Sequence, residues 1–192
     1  MIQIKNQLSE YLTRYATFNE TDIELIFHQC SYKKYQKKDF LLKQGAVCNY
    51  NFFILKGLVR QFRFDDNGHE NISAFGIENW WITNLNSFLN QTPSTNSIQA
   101  IEETIVLQIT KEKLEILYIK IPALERAFRK ITENMLIALQ RKDEIFMKTN
   151  SKERYYTMVK QLPDFFQRVP QYMIASYLDI TPEYLSEIRK NI

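Results

Sequence analysis

The chain has 192 residues, of which 45% are hydrophobic, and carries a net charge of +3. The hydrophobic and aromatic content excludes a disordered chain, and the mild positive charge permits an anionic partner without demanding one. Two isolated cysteines exclude a cysteine zinc site or an iron–sulfur cluster, and the lack of a long apolar run predicts a cytoplasmic protein with no membrane span.

Helices are predicted near the N-terminus, between about residues 7 and 29. Apolar residues recur there at helical spacing, as in Leu8, Leu12 and Tyr15. Asn19 is of a type that caps helices, so a second helix is expected to begin directly after it.

From Tyr32 onward the pattern changes to that of short strands. Asn67–Gly68, within FFILKGLVRQFRFDDNGHE, is a strong hairpin signal, and a second turn is predicted at Lys56–Gly57. Further strands are predicted at Trp80–Ile82, Ile98–Ile101 and Ile105–Ile109. Many short strands at this spacing indicate an antiparallel sandwich or roll.

A long helix is predicted from Pro122 to about residue 149. Its apolar residues recur in steps of four and three, as in a coiled coil, so we expect the chain to form a homodimer through them. The expected seam consists of Leu124, Phe128, Ile131, Met135, Ala138 and Ile145. Lys142 interrupts this pattern and marks where the seam loosens. The alternative is a helix that simply lies on its own β-domain. We favour self-association because Leu136, Ile137 and Leu139 are available for packing on the other side, so one helix can contact both a partner and its own roll.

The C-terminal part is predicted to be a small helical domain. One helix begins with Ser151 as its N-cap and ends at Leu162–Pro163. The stretch VPQYMIASYLDITPEYLSEIRKNI then predicts two short helices joined by a turn at Asp179–Ile180. The inward residues are expected to be Ile174, Ala175, Leu178, Leu185 and Ile188, with Thr181 capping the second helix.

This spacing fits a helix-turn-helix, and equally any other helical hairpin. The outward face of the second helix, which would contact DNA, consists of Thr181, Glu183, Tyr184, Ser186, Glu187, Arg189 and Lys190. The sequence as a whole predicts an α+β fold in three parts. These are an N-terminal antiparallel β-roll with its helices (residues 1–121), a dimerisation helix (122–149) and an all-α helix-turn-helix domain (150–192).

Together these elements resemble the Crp/Fnr family of bacterial transcription regulators. The segment FFILKGLVRQFRFDDNGHE is similar to the central hairpin of the family, and the terminal stretch is similar to that of a subgroup common in Bacteroidetes. The resemblance implies a jelly roll of the cyclic-nucleotide-binding type and a dimerisation helix. It further implies a homodimer whose two recognition helices lie in the major groove of double-stranded DNA.

The resemblance also implies an effector site in the roll. In members that bind cyclic AMP, a Gly-Glu pair and an Arg-Ser pair hold the ribose and the phosphate. This chain has Thr83 and Asn84 at the first pair and Ser94 and Thr95 at the second. Losing the carboxylate and the guanidinium should cost on the order of 3 to 5 kcal/mol of binding free energy, so we expect no cyclic AMP binding of the family's type. The degenerate pocket leaves room for an unidentified small-molecule effector, and we expect no cofactor and no metal.

The chain differs from the family's usual sequence pattern on the recognition helix. Glu187 stands where many members have an arginine, while Glu183 matches a position that often reads a base edge, and Glu can accept from the amine of cytosine. Arg189 and Lys190 remain for the DNA backbone. The winged hairpin that follows the recognition helix in the family is not seen before Ile192. We therefore expect modest, steeply salt-dependent affinity.

Two other functions are weighed against DNA reading. A dimer of the same fold that senses a ligand or acts as a scaffold, and no longer binds DNA, is favoured by the weak charge and by Glu187. A metal enzyme of the cupin type is disfavoured because the chain has only His28 and His69, without ligand partners at useful spacing. No catalytic motif is present, so we expect no enzymatic activity.

Overall fold

The computed structural model describes residues 1–190, so Asn191 and Ile192, the end of the terminal stretch, lie outside the described residues. Its helices are α1 Ile2–Leu12, α2 Glu20–Gln29, α3 Leu85–Asn90, α4 Lys111–Lys120, α5 Pro122–Lys148, α6 Ser151–Gln161, α7 Pro163–Arg168, α8 Gln171–Leu178 and α9 Pro182–Lys190. Its strands are β1 Ser31–Tyr35, β2 Phe40–Leu42, β3 Tyr50–Lys56, β4 Val59–Phe64, β5 Glu70–Gly76, β6 Trp81–Ile82, β7 Ser97–Ala100 and β8 Thr104–Thr110.

The strands form two four-stranded sheets, in the orders β1-β8-β3-β6 and β2-β7-β4-β5. β8 pairs antiparallel with both β1 and β3, and β2 pairs antiparallel with β7. The predicted turns are confirmed, because Gly57 and Gly68 have φ of +108° and +81° between β3 and β4 and between β4 and β5. The predicted α+β fold with an antiparallel roll is therefore confirmed.

The chain divides into two compact units. The first contains residues 1–61 and 75–134, and the second contains residues 62–74 and those from 135 onward. In the first unit α1 packs on β3, where the rings of Tyr11 and Phe53 lie 5.2 Å apart. Trp81 continues this aromatic row, with its ring 5.2 Å from that of Phe53 and 5.0 Å from that of Phe128 at the start of α5. These rings fix the first turns of α5 to the roll.

The expected dimer seam is wrong at its first residue. Leu124 is wholly buried in the core of the first unit and has no surface left for a partner. Phe128 and Ile131 are partly buried against the same core. The physical reason is that the apolar stripe of α5 faces its own roll over the first turns, as it would on any amphipathic helix.

The second half of α5 is exposed. Met135, Ala138 and Ile145 of the expected seam all face solvent in the single chain. Leu136, Ile137 and Leu139, which were expected to pack on the chain's own roll, are 56%, 44% and 51% exposed, so that prediction is wrong. This half of α5 therefore leaves apolar surface exposed in the single chain.

The second unit ends in a cluster of short helices. Asn150, rather than the expected Ser151, caps α6, since its side chain accepts from the N–H of Glu153 and the Glu153 carboxylate accepts from the N–H of Asn150. A further helix, α7, begins at Pro163, the proline that was expected to end α6. The buried apolar residues here are Tyr155, Phe165, Val169, Met173, Ile174, Ala175, Leu178, Leu185 and Ile188.

Candidate nucleic-acid interface

α8 and α9 form the predicted pair of helices with a tight turn. Asp179 adopts the left-handed conformation, with φ +57° and ψ +49°. Its N–H donates to the carbonyl of Ser176 (3.2 Å), and the N–H of Ile180 donates to the carbonyl of Ala175 (3.0 Å). These two bonds are those of the Schellman motif, so the turn closes without the glycine that this position usually carries.

α9 begins as its sequence predicts. The hydroxyl of Thr181 accepts from the N–H of Tyr184 (3.2 Å), and Pro182 occupies the first helical position. Leu185 and Ile188 are buried, at 0% and 3% exposure, and pack α9 onto the rest of the second unit. The predicted inward face is therefore confirmed.

The residues expected to contact DNA are all on the exposed surface of α9. This face consists of Thr181, Glu183, Tyr184, Ser186, Glu187, Arg189 and Lys190. It presents hydroxyl, phenol, carboxylate and cationic groups, all of which bind base edges or phosphates in protein–DNA complexes. Its charge is balanced, since the two acidic side chains of α9 oppose the two basic ones of its last turn.

The side chains of the four residues expected at the effector site bond to other groups of the chain. The hydroxyl of Thr83 donates to the carbonyl of Tyr50 (3.1 Å), and the side chain of Asn84 caps α3. Ser94 donates to the carbonyl of Asn96 (2.8 Å). The hydroxyl of Thr95 is 3.5 Å from the side-chain oxygen of Asn96 and is exposed. The structure thus places Thr83, Asn84 and Ser94 as supports of the loop backbone.

Two other buried polar side chains form hydrogen bonds that were not predicted. Ser87 is fully buried, accepts from the N–H of Cys48 (2.8 Å) and donates to the carbonyl of Thr92. Arg60, also buried, donates twice to the side-chain oxygen of Gln99 at 2.8 and 3.1 Å. The Cys48–Ser87 and Arg60–Gln99 contacts each join residues 39 positions apart, so no local pattern predicts them.

The two histidines lie on separate elements. His28, on α2, pairs with Glu24 at 3.5 Å, and His69, at the end of the β4–β5 turn, pairs with Asp65 at 3.3 Å. Both are solvent-exposed surface pairs of little energetic weight. Along residues 1–190, no helix combines the length and apolar character needed to cross a membrane.

Comparison with known proteins identifies relatives of this fold. The family described as "Cyclic nucleotide-binding domain" matches residues 32–120. The "Anaerobic regulatory protein" of Pasteurella multocida is 24% identical over 185 residues, which cover 90% of this chain and 67% of the relative. FixK2 from Bradyrhizobium japonicum superposes with a TM-score of 0.73 at 16% identity, over 84% of this chain and 83% of that one. The catabolite activator protein of Thermus thermophilus superposes with a TM-score of 0.60 at 16% identity, over 94% of this chain and 85% of that one.

Proposed function

Given that the chain belongs to the Crp/Fnr family of transcriptional regulators, we propose that it is a cytoplasmic regulator that binds specific sites on double-stranded DNA as a homodimer. The observation that carries this proposal is the α8–α9 pair. Its turn is closed by a full Schellman motif and its second helix has a wholly exposed polar face. The name of the Pasteurella multocida relative, a regulatory protein, supports the same function.

In this proposal α9 lies in the major groove. Glu183 and Glu187 are one helical turn apart, which separates them by about 6 Å along the helix axis, so they face different base pairs. A carboxylate accepts a hydrogen bond from the exocyclic amine of cytosine and is repelled by phosphate, so both side chains favour cytosine edges. Arg189 and Lys190, in the last turn, bind phosphates and set the register of the helix.

A second copy of the chain completes the site. One α9 reads only a few base pairs, and the two copies of a symmetric dimer read half-sites about 34 Å apart. The exposed apolar surface of α5 around Met135 and Ala138 supports the dimer, because such a surface is covered in a coiled coil.

The proposal excludes cyclic AMP of the family's type as the effector. Thr83 and Asn84 stand where the glycine and the ribose-binding carboxylate are expected. Their side chains bond to the chain itself, Thr83 to the carbonyl of Tyr50 and Asn84 to the N–H of Ser87. We expect no binding of cyclic AMP at micromolar concentration by isothermal titration calorimetry of the full chain. A micromolar dissociation constant would contradict this prediction.

The proposed function is tested by selecting fragments of the organism's own DNA with the purified full chain at low salt. We expect enrichment of a pseudo-palindromic site with half-sites about one helical turn apart. The double variant Arg189→Gln and Lys190→Gln should lose this enrichment. Lys148→Gln, which removes one exposed lysine from α5, should keep it. No enrichment for the unchanged chain would refute DNA reading and favour a dimer of the same fold that no longer binds DNA.

A further inference from the structure

A single hydroxyl joins β5 to α8 in the second unit. Ser176, on α8, donates to the carbonyl of Glu70 (2.6 Å) and accepts from the N–H of Ile72 (3.1 Å). β5 is the last strand of its sheet, and residues two apart on such a strand direct their backbone groups to the same open edge. One side chain therefore satisfies both a donor and an acceptor at the outer edge of β5.

A lysine from α5 makes the neighbouring contact. Lys142 donates from Nζ to the carbonyl of Ser73 (3.2 Å), and the same nitrogen lies 4.0 Å from the ring centre of Tyr177. Ser73 follows Ile72 and Tyr177 follows Ser176, so the two contacts are adjacent on both elements. Burial lowers the pKa of Lys142 because its ammonium group loses hydration at this position. The carbonyl and the aromatic face offset that loss.

We propose that Ser176 and Lys142 are positioning residues that together form a latch between β5, α5 and α8, and that this latch orients α9. Ser176 lies in the last turn of α8, and the capped turn at Asp179 leads from there directly into α9. A movement of β5 is therefore transmitted to the exposed face of α9. The effect on DNA rests on the proposed function, whereas the latch itself does not.

Hydrogen exchange at the backbone amide of Ile72, measured by NMR on the full chain, tests the latch. Ser176→Ala removes the acceptor of this amide and should speed its exchange about tenfold. Ser176→Thr keeps the hydroxyl and should stay near the unchanged chain. Lys142→Met does not remove the Ser176 hydroxyl, yet it should speed the same exchange several-fold if both contacts act together. Lys148→Met, on the exposed side of the same helix, is the matched control and should have no effect.

Each result decides the matter. Unchanged exchange at Ile72 in Ser176→Ala overturns the latch, and unchanged exchange in Lys142→Met overturns the joint action of the two residues. The amide of Val169, which donates to the carbonyl of Phe165 (3.1 Å) in the second unit, reports opening of that unit as a whole. If Ser176→Ala speeds exchange at Val169 as much as at Ile72, the variant destabilises the whole unit and the latch is also overturned.

The effect on DNA binding is measured separately, as the affinity of each chain for a selected DNA site. Ser176→Ala should weaken binding about fivefold or more without changing the dimer, and Ser176→Thr should restore it. Equal affinity for all three chains would overturn the transmission to α9. A chain that binds no DNA but shows the expected exchange pattern would refute the proposed function and leave the latch standing.

Discussion

At the scale of single residues, the turn between α8 and α9 depends on Asp179. Short polar residues enter the left-handed conformation with less strain than other non-glycine residues, because their side chains bond locally. The two bonds that surround Asp179 come from backbone groups, so the fold requires the conformation rather than the carboxylate. Position 179 therefore tolerates any residue that accepts a positive φ.

Replacing Asp179 separates these two requirements. Asp179→Gly should keep or slightly raise the melting temperature, because glycine adopts φ +57° without strain. Asp179→Val should lower the free energy of unfolding by about 1 to 2 kcal/mol, because a β-branched residue is strained there. Thermal unfolding followed by circular dichroism measures both. A stability loss in Asp179→Gly as large as in Asp179→Val would show that the carboxylate is needed.

The turn between β4 and β5 contains a pH-sensitive carboxylate. Asp65 Oδ1 accepts from the N–H of His69 (2.8 Å) and from that of Asn67 (2.9 Å). The bond from the His69 backbone is the main cause that lowers the pKa of Asp65. Since the folded-state pKa is depressed, the stabilisation is present above the unfolded-state value of about 3.9 and is lost as pH falls through the folded-state pKa.

Titration of the Asp65 carboxyl carbon by NMR checks this prediction. We expect a midpoint below the ordinary value of about 3.9, and faster exchange of the His69 amide once the group is protonated. A midpoint for Asp65 at or above 3.9 would contradict the prediction.

At the scale of elements, α5 performs two tasks along its length. Over its first turns it is part of the core of the first unit, where Leu124 is buried and Phe128 packs on Trp81. From Met135 onward its apolar residues are exposed, and Lys142 turns toward Ser73 and Tyr177 of its own chain. A continuous heptad pattern therefore does not imply a continuous seam, because the same period serves packing within and between chains.

The dimer is best tested with residues that the single chain leaves exposed. Met135 and Ile145 are 45% and 38% exposed, so replacing both with glutamate should leave the fold of one chain intact. We expect this double variant to elute as a monomer in size-exclusion chromatography with light scattering, because charges in a coiled-coil seam are not tolerated. Gln140→Glu, which adds a charge outside the heptad stripe, should remain dimeric. A dimeric double variant would refute the seam around these residues.

The elements differ in how far their sequences predict them. The strands, the long helix and the α8–α9 pair follow local patterns, and all are present. The short helix α7 was not predicted because Pro163, which was expected only to end α6, also starts a new helix. The contacts of Ser176 with β5 join residues 104 and 106 positions apart, so nothing in the local sequence indicates them. The DNA-contacting and effector residues stay predictions.

At the scale of the whole molecule, electrostatics limits the proposed DNA binding. The chain has a net charge of only +3, and the exposed face of α9 carries two acidic and two basic side chains. Affinity for DNA arises largely from phosphate contacts that release counterions, and few such contacts give weak non-specific binding. Discrimination between sites must then come mainly from base edges and DNA shape.

The number of these phosphate contacts can be obtained from the salt dependence of the DNA-binding constant. Each neutralised phosphate contributes about 0.9 to the slope of log K against log salt concentration, so Lys190→Gln in both copies of a dimer should reduce that slope by about 2. Fluorescence anisotropy with a selected site across a range of salt concentrations measures it. Lys148→Gln should leave the slope unchanged, and an unchanged slope in Lys190→Gln would remove that residue from the interface.

The contact between Ser176 and β5 also bears on the tendency of the protein to aggregate. A free strand edge is a template to which a strand of another molecule can add, and repeated addition builds fibrils. The hydroxyl of Ser176 occupies the carbonyl of Glu70 and the N–H of Ile72, which are two of the groups that such an incoming strand would use. The Ser176 hydroxyl therefore leaves two fewer backbone groups of β5 open to an incoming strand.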